Sequence, residues 1–153
     1  MHTIVSSCRF CRIAEGKEPG YKVLDVDLCV AFLDIRPLFP GHCLLIPRRH
    51  AGTLADLTPD LIEPLFSWAR LLALAVEEAM QAEGTFVAIN NKVSQSVPHL
   101  HIHIVPRRKG DGLRGFFWPR SPYRDTAHRA EAQARIVTRL QDLVSETSEL
   151  GEA

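Results

Sequence analysis

Three alternating histidines stand out in the stretch from Pro98 to Pro106. His99, His101 and His103 are separated by single apolar residues. This period of two predicts a half-buried β-strand, with all three imidazoles leaving the same face. A lone histidine on a strand is most often a hydrogen-bonded structural residue. Three in register point instead to a site, because imidazole can serve as a catalytic group or as a metal ligand.

A single metal ion held by all three rings is the first alternative. Imidazole binds zinc, copper and iron. On a regular strand, however, neighbouring histidines of the set lie roughly 6.6 Å apart and the outer two about 13 Å apart. A metal–nitrogen bond is only about 2.0 to 2.1 Å long. Two adjacent histidines could share an ion, so the geometry favours a row of titratable groups facing successive atoms of an extended substrate.

The sequence His99-Leu-His-Ile-His-Ile-Val105 resembles the signature of the histidine triad (HIT) family. Gln95, Ser96 and Val97 before it and the Pro-Arg pair after it are also similar to that family. The resemblance extends from about residue 8 to about residue 108 and is to bacterial zinc-containing HIT nucleotide hydrolases.

The resemblance implies a nucleotidyl hydrolase or transferase acting at the α-phosphate of nucleoside phosphoramidates or dinucleoside polyphosphates. His101 would attack phosphorus and form a nucleotidyl-histidine, from which water releases the nucleoside monophosphate. His103 and Ser96 would steer the phosphate and the leaving group. The open alternative is a zinc-stabilised nucleotide-binding module without significant turnover, and the presence of all three histidines favours the enzyme.

The resemblance also implies where a purine nucleotide or nucleotide conjugate binds. Asp34 matches an acidic position that accepts hydrogen bonds from the ribose hydroxyls, although an aspartate ending a strand more commonly caps a turn. His42 matches a fourth histidine that supports the triad from behind. Four apolar residues fall where the family builds its base pocket and would otherwise be core residues: Phe10, Ile13, Phe32 and Ile35.

The loop from residue 91 to residue 98 is expected to cradle the phosphate. Its serines offer hydroxyl and backbone donors just before the histidine strand. Asn90, Gln95 and Ser96 are the expected contacts. The loop departs from the family because it is shorter and carries Ser94 where a glycine is common.

A C-x-x-C motif, Cys8 to Cys11, lies near the N-terminus. A redox motif of the thioredoxin type would follow a strand, and no upstream segment is long enough to supply one. Zinc is favoured, and a closed zinc site needs four ligands. The resemblance implies that His50 and His99 complete the set, while two unliganded cysteines remain the alternative.

Composition sets wider bounds. The chain has 153 residues, 46% of them hydrophobic, a formal net charge of zero and a pI near 7.1. These values predict one domain, and the resemblance implies that it is a single HIT-like domain, 1–153, with 107–153 as a C-terminal extension and helix. The balanced charge shows no excess of basic residues of the kind that binds duplex nucleic acid or an anionic membrane. The absence of a long apolar run or signal-like N-terminus predicts a cytoplasmic protein, and the resemblance implies a homodimer.

Hydrophobic periodicity predicts an α+β fold with a five-stranded antiparallel sheet, one long packing helix and a C-terminal helix. The long helix should begin at Thr58 and Pro59, end before Gly84 and restart at Pro64. Its buried stripe should comprise Leu61, Leu65, Leu72, Val76 and Met80. The strands are expected at 21–25, 28–34, 42–47, 85–90 and 99–105.

The chain beyond the histidine strand is less informative. Arg107, Arg108 and Lys109 precede an aromatic segment, Phe116 to Arg120. Stacking on single-stranded nucleic acid is one interpretation, while closure over the leaving group or packing on a partner subunit is favoured. The C-terminal helix is predicted from Asp125 to about Ser145, with Ile136, Val137, Leu140 and Val144 facing inward.

Overall fold

The structure is a computed structural model that describes residues 5–113 and 121–150, with side chains up to residue 146. The chain divides into two compact units, Met1–Gly112 and Leu113–Ala153. The sheet and every predicted site residue lie in the first unit. The prediction of one domain with an extension from residue 107 stays a prediction.

The first unit is built on a five-stranded antiparallel sheet, which confirms the predicted fold class. Its strands are β1 (Lys22–Asp25), β2 (Cys29–Leu33), β3 (Cys43–Pro47), β4 (Gly84–Ile89) and β5 (Ile102–Arg107). Their order across the sheet is β1-β2-β3-β5-β4, and all neighbours are antiparallel. The first four strands begin and end within one or two residues of the predicted bounds.

Each face of the sheet is covered by a helix, which explains why strands β2 and β3 are apolar throughout. On β2, Cys29 and Ala31 belong to a core beneath α2 (Pro59–Ala79), whereas Val30 and Phe32 belong to a core beneath α1 (Arg9–Ala14). Successive side chains leave opposite faces of a strand. The six-residue helix α1 was not foreseen, because fewer than two turns show no hydrophobic period.

Helix α2 runs without interruption through Pro64, so the prediction that it restarts there was wrong. A proline inside a helix removes one hydrogen bond, here to the carbonyl of Asp60. Packing on the sheet outweighs that loss, because Leu61 and Leu65 on either side of the proline are both buried in the same core. The helix ends at Ala79, and Gly84 is already the first residue of β4.

Strand β5 begins at Ile102, later than the predicted start at His99. The backbone N–H of Leu100 donates instead to the carbonyl of Ala51 at 2.6 Å, beyond the end of β3. His99 therefore precedes the regular ladder, and its ring lies 4.8 Å from that of His50. The prediction that three imidazoles extend from one regular strand was wrong in this respect.

The second unit contains helix α3 (Thr126–Leu150), which begins one residue after the predicted start. The stripe of Ile136, Val137, Leu140 and Val144 does not face inward as predicted, because these side chains are 69%, 46%, 59% and 57% exposed. Periodicity identifies an apolar stripe but not what it packs against. The segment Phe116 to Arg120 lies outside the described residues.

None of the helices within residues 5–113 and 121–150 is long and apolar enough to cross a membrane.

Candidate active site and metal centre

Four predicted metal ligands from three separate segments converge beside α1. Cys8 lies at the N-cap of α1 and Cys11 within it. His50 follows β3, and His99 precedes β5. Sγ of Cys8 is 3.4 Å from Nδ1 of His99, and Sγ of Cys11 is 3.4 Å from Nδ1 of His50 and 3.6 Å from Nδ1 of His99. All four donor atoms lie within 4.8 Å of one another.

These separations fit a tetrahedral zinc site. Zn–S bonds of about 2.3 Å and Zn–N bonds of about 2.0 to 2.1 Å place neighbouring sulfur and nitrogen ligands about 3.5 Å apart. Nε2 of His99 donates to the carbonyl of Pro47 at 2.9 Å, which leaves the lone pair on Nδ1. Burial raises the pKa of the Cys11 thiol, and a bound cation would oppose this by favouring the thiolate.

A cavity of about 350 Å³ opens beside the metal centre, on the face of the sheet that carries α1. This volume suits a small-molecule ligand. Its wall includes all four residues of the predicted base pocket, Phe10, Ile13, Phe32 and Ile35, together with Asp34, Ser96, His101 and His103. Residues from five segments of the chain are therefore brought together around one cavity.

Asp34 caps a turn and also lines the cavity. Its Oδ1 accepts a hydrogen bond from the backbone N–H of Arg36 at 2.8 Å, as a turn-capping aspartate does. Its Oδ2 lies 3.7 Å from Nε2 of His42, and the residue lines the cavity. One carboxylate oxygen is therefore committed to the turn, while the residue still presents an acceptor at the cavity wall.

His101 has its tautomer fixed by a backbone group. Nδ1 donates to the carbonyl of His99 at 2.7 Å, so Nε2 carries the lone pair. The ring packs edge-on against Phe10, with 5.3 Å between centroids, and lines the cavity. A backbone carbonyl, and not an aspartate, therefore fixes the tautomer of His101.

Hydrogen bonds through His42 also fix the tautomer of His103, but here the proton lies on Nε2. The backbone N–H of Leu38 donates to Nδ1 of His42 at 3.1 Å, so Nε2 of His42 carries a proton and donates to Nδ1 of His103 at 3.0 Å. Nε2 of His103 is then a proton donor. Burial, reinforced by His101 and His42, lowers the pKa of His103 to about 4, so the ring is neutral at neutral pH.

Asp34, His42 and His103 also have donor atoms within 4.8 Å of one another. Both ring nitrogens of His42 are already engaged in the hydrogen bonds described above. This cluster is therefore explained as a hydrogen-bonded relay. The N–H of Leu38 and the carbonyl of His99 were missed from sequence, because main-chain groups carry no residue-type signal.

Two predicted nucleotide contacts are absent from the cavity wall formed by the described residues. Gln95 accepts from the N–H of Lys92 at 2.8 Å and donates to the carbonyl of Gly52 at 2.6 Å, so it holds the loop in place. Asn90 is half-buried at the end of β4. Nucleotide contact by either residue stays a prediction.

The loop that carries Ser96 has an unusual backbone path. Lys92 and Ser94 have φ angles of 67° and 58°, in the left-handed region that favours glycine. The resemblance places a glycine at position 94, and the structure supplies the physical reason for that preference.

Comparison with known proteins identifies the class. The family model of the HIT domain matches residues 15–110, and the chain belongs to the HIT family. It is 34% identical to an adenylylsulfatase of Arabidopsis thaliana, over 72% of this chain and 57% of the relative. It is 36% identical to an asymmetrical bis(5'-nucleosyl)-tetraphosphatase of Schizosaccharomyces pombe, over 67% of this chain and 56% of the relative. It is 34% identical to an adenosine 5'-monophosphoramidase of Saccharomyces cerevisiae, over 76% of this chain and 73% of the relative.

Solved structures agree with the fold. A HIT-family protein from Bacillus subtilis has a TM-score of 0.78 and 31% identity, covering 88% of this chain and 97% of its own. A zinc-bound histidine triad protein from Mycobacterium smegmatis has a TM-score of 0.67 and 34% identity, covering 87% of this chain and 97% of its own. The relatives' names support nucleotide hydrolase activity in general, and the chain spans little more than half of the first two relatives.

Proposed function

We propose that this protein is a nucleotidyl hydrolase or transferase acting at the α-phosphate of nucleoside phosphoramidates or dinucleoside polyphosphates. The observation that carries the proposal is that two imidazoles at one cavity have their tautomers fixed in opposite senses. His101 presents a lone pair on Nε2, and His103 presents a proton on Nε2. Nucleophilic substitution at phosphorus needs both groups side by side.

The chemistry follows from these two tautomers. Nε2 of His101 bonds to the α-phosphorus as the P–N or P–O bond to the leaving group breaks. The neutral His103 holds the leaving atom through a hydrogen bond from its Nε2–H, and the leaving group takes its proton from solvent water. The carbonyl of His99 stabilises the positive charge on the His101 ring. Water then attacks the phosphorus of the nucleotidyl-histidine, the bond from phosphorus to Nε2 of His101 breaks, the proton of the attacking water passes to solvent, and the monophosphate is released. Ser96, at the cavity wall, is placed to donate to a non-bridging oxygen.

The cavity wall supports a position for the nucleoside end of the substrate. A purine base fits the apolar and aromatic side of the wall, where the Phe10 and Phe32 rings meet edge to face with 5.3 Å between centroids. Asp34 is the acceptor for the ribose hydroxyls. The ligand is therefore a purine nucleotide or a nucleotide conjugate.

The metal in this proposal is one zinc ion per chain, held by Cys8, Cys11, His50 and His99. The distances between their donor atoms support this assignment. A structural zinc ion cross-links segments of the chain that are distant in sequence and contributes free energy of folding.

The proposal includes a homodimer in the cytoplasm. None of the four cysteines, all of which lie within the described residues, forms a disulfide, as is usual in a reducing compartment. The exposed stripe of α3 supports self-association. Residues 126–139 carry three arginines and one glutamate, whereas residues 140–150 carry three acidic residues and no basic one. A basic N-terminal part and an acidic C-terminal part interact unfavourably with the dipole of their own helix. In an antiparallel pair of α3 helices, however, the basic part of each helix would lie beside the acidic part of the other.

The alternative, a nucleotide-binding module without turnover, is separated from the enzyme by one experiment. Wild type is mixed rapidly with an adenosine 5'-phosphoramidate that has a chromogenic amine as leaving group, and release of the amine is followed. The enzyme should give a burst of up to one amine per chain and then steady turnover. A chain that binds AMP but releases no amine contradicts the proposal and supports the binding module.

A further inference from the structure

We propose that the metal ion and the nucleotide bind cooperatively, because the short helix α1 forms part of both sites. The inference rests on the proposed function only in that a nucleotide occupies the cavity. It adds a regulatory property: the metal content of the protein sets its nucleotide affinity, and nucleotide slows the loss of metal.

Helix α1 depends on tertiary contacts for its order. It has six residues and no side-chain hydrogen bond at its N-cap. Isolated helices shorter than about 12 to 15 residues are marginal in water. The α1 conformation must therefore be held by what its side chains contact.

One side of α1 contacts the metal-binding histidines. Cys8 and Cys11 place their sulfurs 3.4 to 3.6 Å from Nδ1 of His50 or His99. Without a metal ion these contacts are weak, because a thiol is a poor hydrogen-bond partner. Coordination replaces them with bonds that fix the position and rotation of the helix.

Another side of α1 forms the cavity wall. Phe10 lies between the two cysteines in sequence, and its ring contacts those of Phe32 and His101, each with 5.3 Å between centroids. Arg9 and Ile13 from the same helix also line the cavity. A base bound against Phe10 therefore touches the segment that the metal orders.

His99 provides a second connection between the sites. Its ring is a metal donor, while its carbonyl accepts the proton on Nδ1 of His101 at 2.7 Å. Two ligands that order the same segment raise each other's affinity by the same factor. We expect a factor of about ten, within the range of roughly 5 to 150 typical of coupled sites.

The test measures zinc release from the zinc-loaded full chain into excess chromogenic chelator, with and without saturating AMP. AMP should slow the release about tenfold. Titration calorimetry with AMP, on zinc-loaded and chelator-treated protein, should give about a tenfold difference in nucleotide affinity, which measures the coupling at equilibrium. Hydrogen exchange of the amides in residues 8–15 should slow when AMP binds to the zinc-loaded chain.

A matched pair of variants separates α1 from the rest of the cavity wall. Phe10→Ala and Phe32→Ala each remove one phenylalanine ring from the wall, but only Phe10 lies on α1. Alanine favours helix, so Phe10→Ala keeps the helical propensity of α1. At saturating AMP, Phe32→Ala should retain most of the slowing of zinc release, whereas Phe10→Ala should lose at least two thirds of it.

An AMP effect on zinc release below twofold in the wild type overturns the inference, as does an equal effect in the two variants. Neither result touches the proposed catalysis, which the release of amine from a phosphoramidate tests separately. If AMP does not bind at all, the proposed function and the inference fall together.

Discussion

At the scale of single residues, backbone groups decide what each histidine can do. The carbonyl of His99 places the lone pair of His101 on Nε2, and the N–H of Leu38, acting through His42, places a proton on Nε2 of His103. The histidines, cysteines and Asp34 could be selected from sequence because their types are informative. Their tautomers could not be, since these depend on contacts formed only after folding.

The ribose assignment of Asp34 makes a prediction about binding. Replacing Asp34 with Ala should weaken AMP binding by about 1 to 3 kcal/mol, because the ribose hydroxyls lose a buried acceptor. Binding of 2',3'-dideoxy-AMP, which lacks those hydroxyls, should change little. Titration calorimetry with both ligands checks this, and Asp34→Asn is the control that keeps an acceptor for the N–H of Arg36. Equal losses for both ligands would leave Asp34 as a turn cap alone.

His103 makes a prediction about stability and pH. Its pKa is about 4 in the folded protein, below the ordinary histidine value of 6.5, so the unfolded chain binds a proton first as pH falls. His103 therefore makes the free energy of unfolding fall between about pH 6.5 and pH 4, by up to about 1.4 kcal/mol per pH unit. Above about pH 6.5 this contribution is constant.

Urea unfolding between pH 4.5 and 7.5 measures that slope. His103→Asn is the comparison, because the amide oxygen can still accept the proton of His42. The wild-type curve should be steeper than that of the variant on the acid side. Parallel curves would show that His103 does not titrate in this way.

At the scale of elements, those with a clear hydrophobic period were predicted accurately, and those too short to show one were not. Strands β1 to β4 and helix α2 have local periods and were located closely. The six residues of α1 have no readable period. The late start of β5 depends on Leu100 pairing with Ala51, a contact between segments far apart in sequence. The hydrogen bonds of Gln95 could not be predicted for a related reason, since a matched position does not specify where a shorter loop directs its side chains.

The metal centre joins these elements, and its removal should lower stability. Elemental analysis of protein purified without added metal should find about one zinc per chain. Cys11→Ala should lose that zinc and melt at a lower temperature, because the cross-link among α1, His50 and His99 is gone. A chelator should lower the melting temperature of the wild type but not that of Cys11→Ala.

Cys29→Ala is the control for the metal centre. Cys29 is fully buried beneath α2, away from the metal donors. The variant should lose some packing energy but keep its zinc and its sensitivity to chelator. A metal-free wild type of full stability would contradict the metal assignment.

At the scale of the whole molecule, α3 is the element whose partner the sequence could not reveal. Its period was predicted correctly, but inward and outward faces cannot be distinguished until the partner surface is known. The exposed stripe and the charge order of α3 favour a second copy as that partner. An antiparallel pair would bring the basic half of each helix beside the acidic half of the other.

Leu140→Asp should therefore weaken the dimer, because the charge falls at the centre of the stripe. Thr138→Asp, on the opposite side of α3, is the matched control with the same added charge. Sedimentation equilibrium should show a dimer for the wild type and for Thr138→Asp, and a larger monomer fraction for Leu140→Asp. The same mass for all three chains would exclude α3 from the interface.

The central claim is that His101 is the nucleophile. Mass spectrometry of wild type mixed with an adenosine 5'-phosphoramidate, quenched rapidly without acid, should locate an adenylyl group on the peptide that contains residue 101, at His101. His101→Asn should show no adduct and no turnover, because the barrier rises by several kcal/mol, while its AMP affinity stays within about tenfold of the wild type. An adduct on His103, or turnover that persists without His101, would contradict the account.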